Sequence, residues 1–189
     1  MSGPLRIGIL ALGVAFASGI EGGSSPSTSP RVAAAPDCKQ DFDLHFGRWR
    51  TTVSRLTEPL SGKGAWVEYE GTSVVHPLLG GCANLVELSV EGPAGRIEGI
   101  SLRLFQPGSR RWSLHYASAA SGRLSSPLFG RFENGRGEFY GDDELGGRPI
   151  RVRFVISRLT ARSLRFEQSF SADGGKTWEA NWLAVDERE

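Results

Sequence analysis

The sequence predicts an all-β domain: an antiparallel up-and-down barrel of about ten strands with one short N-terminal helical turn. Three observations predict this fold. From residue 47 onward, polar and apolar residues alternate with period two, so each strand is expected to have one solvent-exposed face and one buried face. Turn residues interrupt the alternation at short, regular intervals. No helical stretch separates the strands, and a meander of hairpins that closes on itself leaves no edge exposed.

Composition is typical of one globular domain with short appendages. The 189 residues include 39% hydrophobic residues, ten Phe and five Trp, which excludes wholesale disorder. Lys and Arg number 22 against 21 Asp and Glu, and loss of Arg6 with a leader would leave a neutral chain. Because these charges are interspersed, we expect no nucleic-acid partner and no stable membrane insertion.

The first 37 residues are predicted to lie outside the fold. Arg6 precedes a short apolar run, and Ala15-Phe16-Ala17 fits a cleavage site, so residues 1–17 are interpreted as a secretory signal peptide. The run is too short to span a bilayer, and the alternative is an uncleaved anchor. Residues 18–37, rich in Ser, Gly, Pro and Ala, are expected to form a disordered linker. We therefore expect a periplasmic or extracellular protein whose barrel domain comprises residues 38–189.

Export decides how the two cysteines are interpreted. In an oxidising compartment Cys38 and Cys82 are expected to form a disulfide that ties the end of the linker to the third strand. Without export, two buried thiols are the better interpretation.

The elements follow in order from the alternation and the turn residues. A helical turn is expected at residues 41–46, before the first strand. Asn134-Gly135 is the strongest hairpin signal. The strands are predicted at Arg48–Thr57, Ala65–Val75, Ala83–Val90, Arg96–Phe105, Arg111–Ser118, Ser126–Glu133, Gly137–Asp143, Arg148–Ser157, Arg162–Ser171 and Thr177–Asp186.

Several segments carry a family resemblance. They are Phe42–Trp49, Trp66–Ser73, Pro77–Gly81, Arg103–Phe105, Arg111–Ser113, Gly130–Phe132 and Gly137–Tyr140. Over roughly residues 41–186 the chain resembles the DUF1579-type family of bacterial lipocalin-like proteins. The resemblance implies a lipocalin-like, calycin-type barrel whose Gly-x-Trp, here Gly47 and Trp49, plugs the closed end. It implies no particular activity, because calycins range from ligand carriers to enzymes.

Residues 171–178 fit the Asp-box pattern, Ser-x-Asp-x-Gly-x-Thr-Trp, best known from sialidase propellers. In such a box the Ser and Asp side chains bond turn amides and the Trp packs beneath the hairpin. A propeller would repeat the box in each blade, whereas this chain has one copy. The box therefore predicts a stabilised turn and not a glycosidase.

The common catalytic and metal-binding motifs are absent from the sequence. The three histidines, His45, His76 and His115, lack ligand spacing, and the cysteines lie too far apart for a zinc site. We predict no metal and no cofactor. Haem would need a histidine at the mouth, for which His76 is the best candidate, although a surface histidine is the simpler interpretation.

Polar and aromatic residues in inward phase are candidates to line the lumen and bind a ligand. Tyr116 and Gln168 alternate with apolar neighbours, and Trp182 is in phase with Trp178. The full set of candidates is Glu68, Glu70, Arg103, Trp112, Tyr116, Arg131, Gln168 and Trp182.

The phase of the second strand is left open by the sequence. If Trp66 packs inward, Glu68 and Glu70 follow it, and Arg103 or Arg131 could pair with them. If Val67, Tyr69 and Val75 face inward instead, both acids are solvated, as glutamates usually are.

The favoured functional hypothesis is an exported, monomeric or weakly dimeric barrel that binds a small, largely apolar molecule without changing it. One alternative is a cofactor-free isomerase or cyclase with Glu68 or Glu70 as its base. Another is a barrel filled by its own side chains that acts as a structural or interaction module.

Overall fold

The computed structural model describes Cys38 and residues 40–189, which form a closed ten-stranded antiparallel barrel. A 3₁₀ turn (Asp43–His45) precedes the first strand, and a second one (Leu79–Gly81) follows the second strand. Among the described residues, no helix has the length and apolar character needed to cross a bilayer. The strands are β1 (Gly47–Leu56), β2 (Trp66–Leu78), β3 (Ala83–Gly92), β4 (Gly95–Gln106), β5 (Arg111–Ser118), β6 (Leu128–Glu133), β7 (Arg136–Leu145), β8 (Arg148–Ser157), β9 (Ser163–Ser171) and β10 (Glu179–Arg188).

The strands follow one another round the barrel in chain order. Each strand pairs with its sequence neighbours, and β1 closes the barrel on β10 in a register that sets Trp49 opposite Arg188 and Arg55 opposite Trp182. The predicted fold class, the strand order and the helical turn are thereby confirmed. The bounds differ most at β2, which continues to Leu78 because it stays paired with β3, and at β10, which begins and ends two residues later than predicted.

One end of the barrel, here called the closed end, is covered by the first 3₁₀ turn. Phe42 inserts there and meets Trp112 edge to face, with ring centroids 4.8 Å apart. Trp49 is fully buried, and its indole Nε1 donates a hydrogen bond of 2.8 Å to the His45 carbonyl. The guanidinium of Arg188 lies 4.0 Å from the Trp49 ring centroid. These contacts place Trp49 at the closed end, where the resemblance puts it.

The predicted disulfide between Cys38 and Cys82 is present, with 5.1 Å between the Cα atoms. It joins the segment before the first 3₁₀ turn to the residue that precedes β3, so both ends of the link lie at the closed end. The predicted signal peptide (1–17) and linker (18–37) fall outside the described residues.

The Asp-box forms the turn between β9 and β10. Asp173 accepts hydrogen bonds from the backbone of Lys176 and Thr177 and from the Thr177 hydroxyl, and Ser171 Oγ accepts from the Gly175 amide. These bonds, led by those from Thr177, hold the pKa of the Asp173 carboxyl well below its usual range. Trp178 donates to the Gly175 carbonyl at 3.0 Å. The box is therefore a stabilised hairpin turn, as predicted.

Candidate functional site

A cavity of about 520 Å³ occupies the lumen. It extends from His45 at the closed end to Arg55, Arg96 and Ala119 near the opposite end, here called the mouth. Between these levels its wall is mostly apolar, including Val53, Leu88, Leu114, Leu164, Phe166 and Ala184.

An uneven distribution of large and small side chains leaves this space open. Aromatic residues pack the lumen toward β4–β8, where Phe42, Phe105, Trp112 and Phe139 belong to one buried cluster. The inward positions of β1, β2 and β10 carry both sizes: the large Trp49, Tyr69 and Trp182 share these strands with the small Thr51, Ser73 and Ala184. The cavity lies against the small residues, where the side chains are too short to fill the lumen.

The floor of the cavity is a buried polar network around His45. The imidazole Nε2 lies 2.8 Å from Asp186 Oδ2, and Arg103 Nη1 lies 3.1 Å from the imidazole Nδ1. His45 comes from the 3₁₀ turn, Arg103 from β4 and Asp186 from β10. All three side chains are buried and line the cavity.

Two hydroxyls complete the network beside the carboxylate. Thr51 Oγ1 donates to Asp186 Oδ1 at 2.6 Å, and Ser73 Oγ lies 3.3 Å from the same oxygen and 2.7 Å from Thr51 Oγ1. Both Asp186 oxygens are therefore occupied by donors from three elements.

The partners of His45 fix its protonation state. A guanidinium can only donate, so Nδ1 must accept from Arg103 and the ring proton sits on Nε2, which donates to Asp186. Burial is the largest cause that lowers the pKa of His45, and the nearby Arg103 charge lowers it further, against the opposing hydrogen bond to Asp186. The imidazole is neutral, and in this arrangement it has no free lone pair for a metal, a haem iron or a proton.

Arg103 is a buried cation with unused donors. Burial lowers its pKa to about 10, and the charge of Asp186 opposes that shift. Its guanidinium lies 4.5 Å from the Phe42 ring centroid and donates to Asn84 Oδ1 at 3.4 Å. Arg103 Nε and Asn84 Nδ2 are buried and have no hydrogen-bond partner among the described residues.

Toward the mouth, Tyr116, Gln168 and Trp182 line the cavity. Gln168 Nε2 donates to Asn181 Oδ1 at 2.7 Å, and burial raises the pKa of the Tyr116 hydroxyl. The Tyr116 ring lies over Gly99 on the neighbouring strand, where a Cβ would overlap the phenol oxygen. Glycine at that position therefore makes room for the phenol against the lumen wall.

The structure brings together part of the predicted site. Of the eight candidates, Arg103, Tyr116, Gln168 and Trp182 line the cavity. Trp112 points inward but is 1% exposed, and its Nε1 donates to Asp41 at 2.9 Å. It fills the closed end with Phe42 and does not line the cavity.

Three predicted lumen residues, Glu68, Glu70 and Arg131, lie on the outer surface instead. On β2 the inward positions are Tyr69, Ser73 and Val75, and Trp66 at the start of the strand is 44% exposed. The hydroxyl of Ser54 donates to Glu68 Oε1 on the outside. Arg131 pairs with Glu133 at 2.7 Å, also in solvent.

Trp182 lines the cavity, but Trp178, with which it is in phase in the sequence, does not. A β-bulge between Ala180 and Trp182 changes the register of β10 against β9. Trp178 consequently lies apart from the lumen lining, with the Arg153 guanidinium 4.8 Å from its ring centroid and Tyr140 at 6.0 Å.

Sequence reasoning missed His45, Thr51, Ser73 and Asp186 as a site. Asp186 is in inward phase with Trp182 and Ala184, and that alternation could have identified it. His45 had no such signal because it belongs to a turn. His76, the haem candidate, is exposed and lies 3.0 Å from Glu87 on the outer surface. Within the described residues, no group of three or more His, Cys, Asp or Glu side chains is arranged to hold a metal ion.

Comparison with known proteins finds similarity in fold only. No family model matches the sequence, and no curated protein does. Two redesigned β-barrels are similar, each at 12% identity. The match to mFAP0 bound to DFHBI covers 77% of this chain and 99% of that chain, with a TM-score of 0.44. The match to b11L5F_LGL covers 81% of this chain and 97% of that chain, with a TM-score of 0.41.

An S-type phycobiliprotein lyase from Guillardia theta is also similar. The match has 12% identity and a TM-score of 0.52, and it covers 78% of this chain and 90% of that chain. At this identity the similarity shows a shared barrel fold and nothing about the ligand.

Proposed function

We propose that the protein binds a small, largely apolar molecule in the lumen of the barrel and does not change it chemically. The observation that carries the proposal is the cavity of about 520 Å³, which has an apolar wall and a few oriented polar groups. This volume and this composition are typical of small-molecule sites.

The placement of the titratable groups supports binding over catalysis. Glu68 and Glu70, the carboxylates that suggested an isomerase or cyclase, lie on the outer surface and cannot reach a ligand in the lumen. His45 has both ring nitrogens engaged by Arg103 and Asp186. A barrel that acts only as a structural module would have its lumen filled by side chains, which is at odds with the cavity.

The proposal includes export to the periplasm or beyond. The Cys38–Cys82 disulfide supports it, because such bonds persist in oxidising compartments. The signal peptide and a monomeric or weakly dimeric state remain predictions, which mass spectrometry of the mature chain and sedimentation would test.

The binding experiment uses N-phenylnaphthylamine, a neutral apolar dye that fluoresces when it leaves water. Ala184→Phe places a ring inside the cavity, whereas Val185→Phe adds the same ring at the adjacent outward position, which is 39% exposed. We expect the wild type and Val185→Phe to bind the dye with Kd values within about twofold, and Ala184→Phe to bind at least about tenfold more weakly.

Near-ultraviolet circular dichroism checks that each variant is folded. The proposed function would be wrong if the wild type failed to bind the dye, or if both folded variants bound it as the wild type does.

A further inference from the structure

We propose that the floor of the lumen receives a carboxylate, so that the ligand is an amphipathic acid whose apolar part lies along the wall. This inference rests on the proposed function, since it assigns the ligand class of the same cavity. Two observations around Arg103 carry it: hydrogen-bond donors exceed acceptors, and the buried cation has no carboxylate directly beside it within the described residues.

Hydrogen-bond donors exceed acceptors around Arg103. The Asp186 oxygens already accept from His45, Thr51 and Ser73. Arg103 Nε and Asn84 Nδ2 are donors without a partner among the described residues; Arg103 lines the cavity, whereas Asn84 is fully buried and does not. The amide of Asn84 cannot turn to relieve this surplus, because its Oδ1 accepts from Arg103. A ligand that supplies acceptors suits this floor, and one that supplies donors does not.

The charge of Arg103 favours an anion over a neutral acceptor. Neutral His45 stands between the guanidinium and Asp186, so no carboxylate forms a direct ion pair with Arg103 within the described residues. A buried cation without an adjacent counterion is unfavourable, and burial lowers the pKa of Arg103 for that reason. A carboxylate beside it would make charge-assisted hydrogen bonds and offset the charge.

The position of Arg103 defines the orientation of the ligand. Leu114, its register partner on β5, lies beside it in the wall, and the apolar wall continues toward the mouth with Leu88 and Ala184. A carboxylate at Arg103 therefore leaves the rest of the ligand in the apolar part of the cavity. At the mouth, Arg55 and Arg96 outnumber Glu98, so the charges at the opening also favour an acid.

The test compares three ligands with the same chain and different head groups. Decanoate, decanol and decylamine compete with bound N-phenylnaphthylamine at neutral pH. For the wild type we expect decanoate to displace the dye at a concentration about tenfold or more below that of decanol, and decylamine to be the weakest competitor.

Two variants locate the effect at Arg103. Asn84→Asp keeps the shape of the side chain and gives Arg103 a carboxylate of its own, so we expect the decanol-to-decanoate ratio to fall to near one. Arg103→Gln should lower the same ratio by removing the cation. The control Arg131→Gln removes one positive charge from the outer surface and should leave the ratio as in the wild type.

The outcomes separate this inference from the proposed function. If the wild type binds no dye, the proposed function fails, and this inference fails with it. If the dye binds but decanol or decylamine competes as well as decanoate, lumen binding stands and the anionic head group is wrong. An unchanged ratio in folded Asn84→Asp would also overturn it. If neither floor variant folds, the three wild-type competitions decide the question alone.

Discussion

At the scale of single residues, His45 illustrates how a turn residue becomes central to a site. Its backbone carbonyl accepts from Trp49, and its ring links Arg103 to Asp186. The ring thus joins the 3₁₀ turn that covers the closed end to two strands of the barrel wall. Removal of either ring partner would leave a buried polar group unpaired, which usually costs about 1–3 kcal/mol.

His45 also makes stability depend on pH. Its pKa in the folded chain is lowered below the ordinary value of 6.5 by burial. Below about pH 6.5 the unfolded chain binds a proton that the folded chain does not, so acid favours unfolding. The free energy of unfolding should fall by up to about 1.4 kcal/mol per pH unit from this group. Urea unfolding at a series of pH values measures the slope.

The control for this prediction is the exposed His76. His76→Gln should retain the wild-type slope below pH 6.5, whereas His45→Gln should show a smaller one. Equal slopes in the two variants would contradict the assignment of the pH dependence to His45.

The candidate residues were predictable where alternation fixed the phase of a strand. Tyr116 and Gln168 have apolar neighbours in phase, and both line the cavity. On β2 the sequence left two phases open, and the structure has the one with Tyr69 and Val75 inward and Glu68 and Glu70 outside. Alternation could not decide between them, because an aromatic residue such as Trp66 can lie on the surface at the end of a strand without loss of the core pattern.

At the scale of elements, two strands approach each other so closely at one position that only glycine fits there. Gly130 on β6 lies between Trp112 on β5 and Phe139 on β7. A Cβ at Gly130 would overlap the backbone carbonyl oxygen of Glu138, which cannot move without disturbing β7. Glycine is required here by the spacing of the backbones and not by a turn.

Gly130→Ala should therefore destabilise the protein by about 1–3 kcal/mol, the usual cost of overpacking. Gly108→Ala in the β4–β5 turn is the matched control, because a Cβ there meets nothing within 4 Å. Its effect should stay within about 0.5 kcal/mol. Chemical denaturation of both variants measures the difference, and equal stabilities would show that β6 and β7 can move apart.

The disulfide is the second feature that stabilises the fold by linking separate segments. It closes a loop between residues 44 apart in sequence, Cys38 and Cys82. The chain-entropy model gives about 4 kcal/mol of stabilisation for a loop of this size. We expect dithiothreitol to lower the free energy of unfolding of the wild type by about that amount.

The double variant Cys38→Ser with Cys82→Ser serves as the control. It should be as unstable as the reduced wild type and insensitive to dithiothreitol. A wild type whose stability does not change on reduction would contradict the prediction.

At the scale of the whole molecule, the barrel is closed but not uniformly paired. β5 and β6 pair only where Trp112–Leu114 face Leu128–Gly130, whereas β1 pairs with β2 along its whole length. The C-terminal half of β5 contacts the loop before β6 instead. The contacts are one isolated β-bridge between Ala117 and Leu124 and the hydrogen bonds between Tyr116 and Ser125. This seam has the fewest ladder hydrogen bonds to protect it.

Amide hydrogen exchange should reflect that difference. Residues 115–128 should exchange earlier than β1 and β2, because local opening of the seam breaks fewer hydrogen bonds than global unfolding does. Exchange followed by mass spectrometry of peptides measures this. Equal protection of β1 and of residues 115–128 would show that the barrel opens only as a whole.

The sequence by itself determined the strands, their order and the inward character of most positions, because period-two alternation and turn residues are local signals. Only the tertiary structure decided where the lumen stays empty and what lies at its floor. His45, Arg103 and Asp186 come from three separate elements and meet only when β1 pairs with β10 and the 3₁₀ turn covers the end. Their chemistry depends on distances and burial across the barrel, which no local pattern encodes.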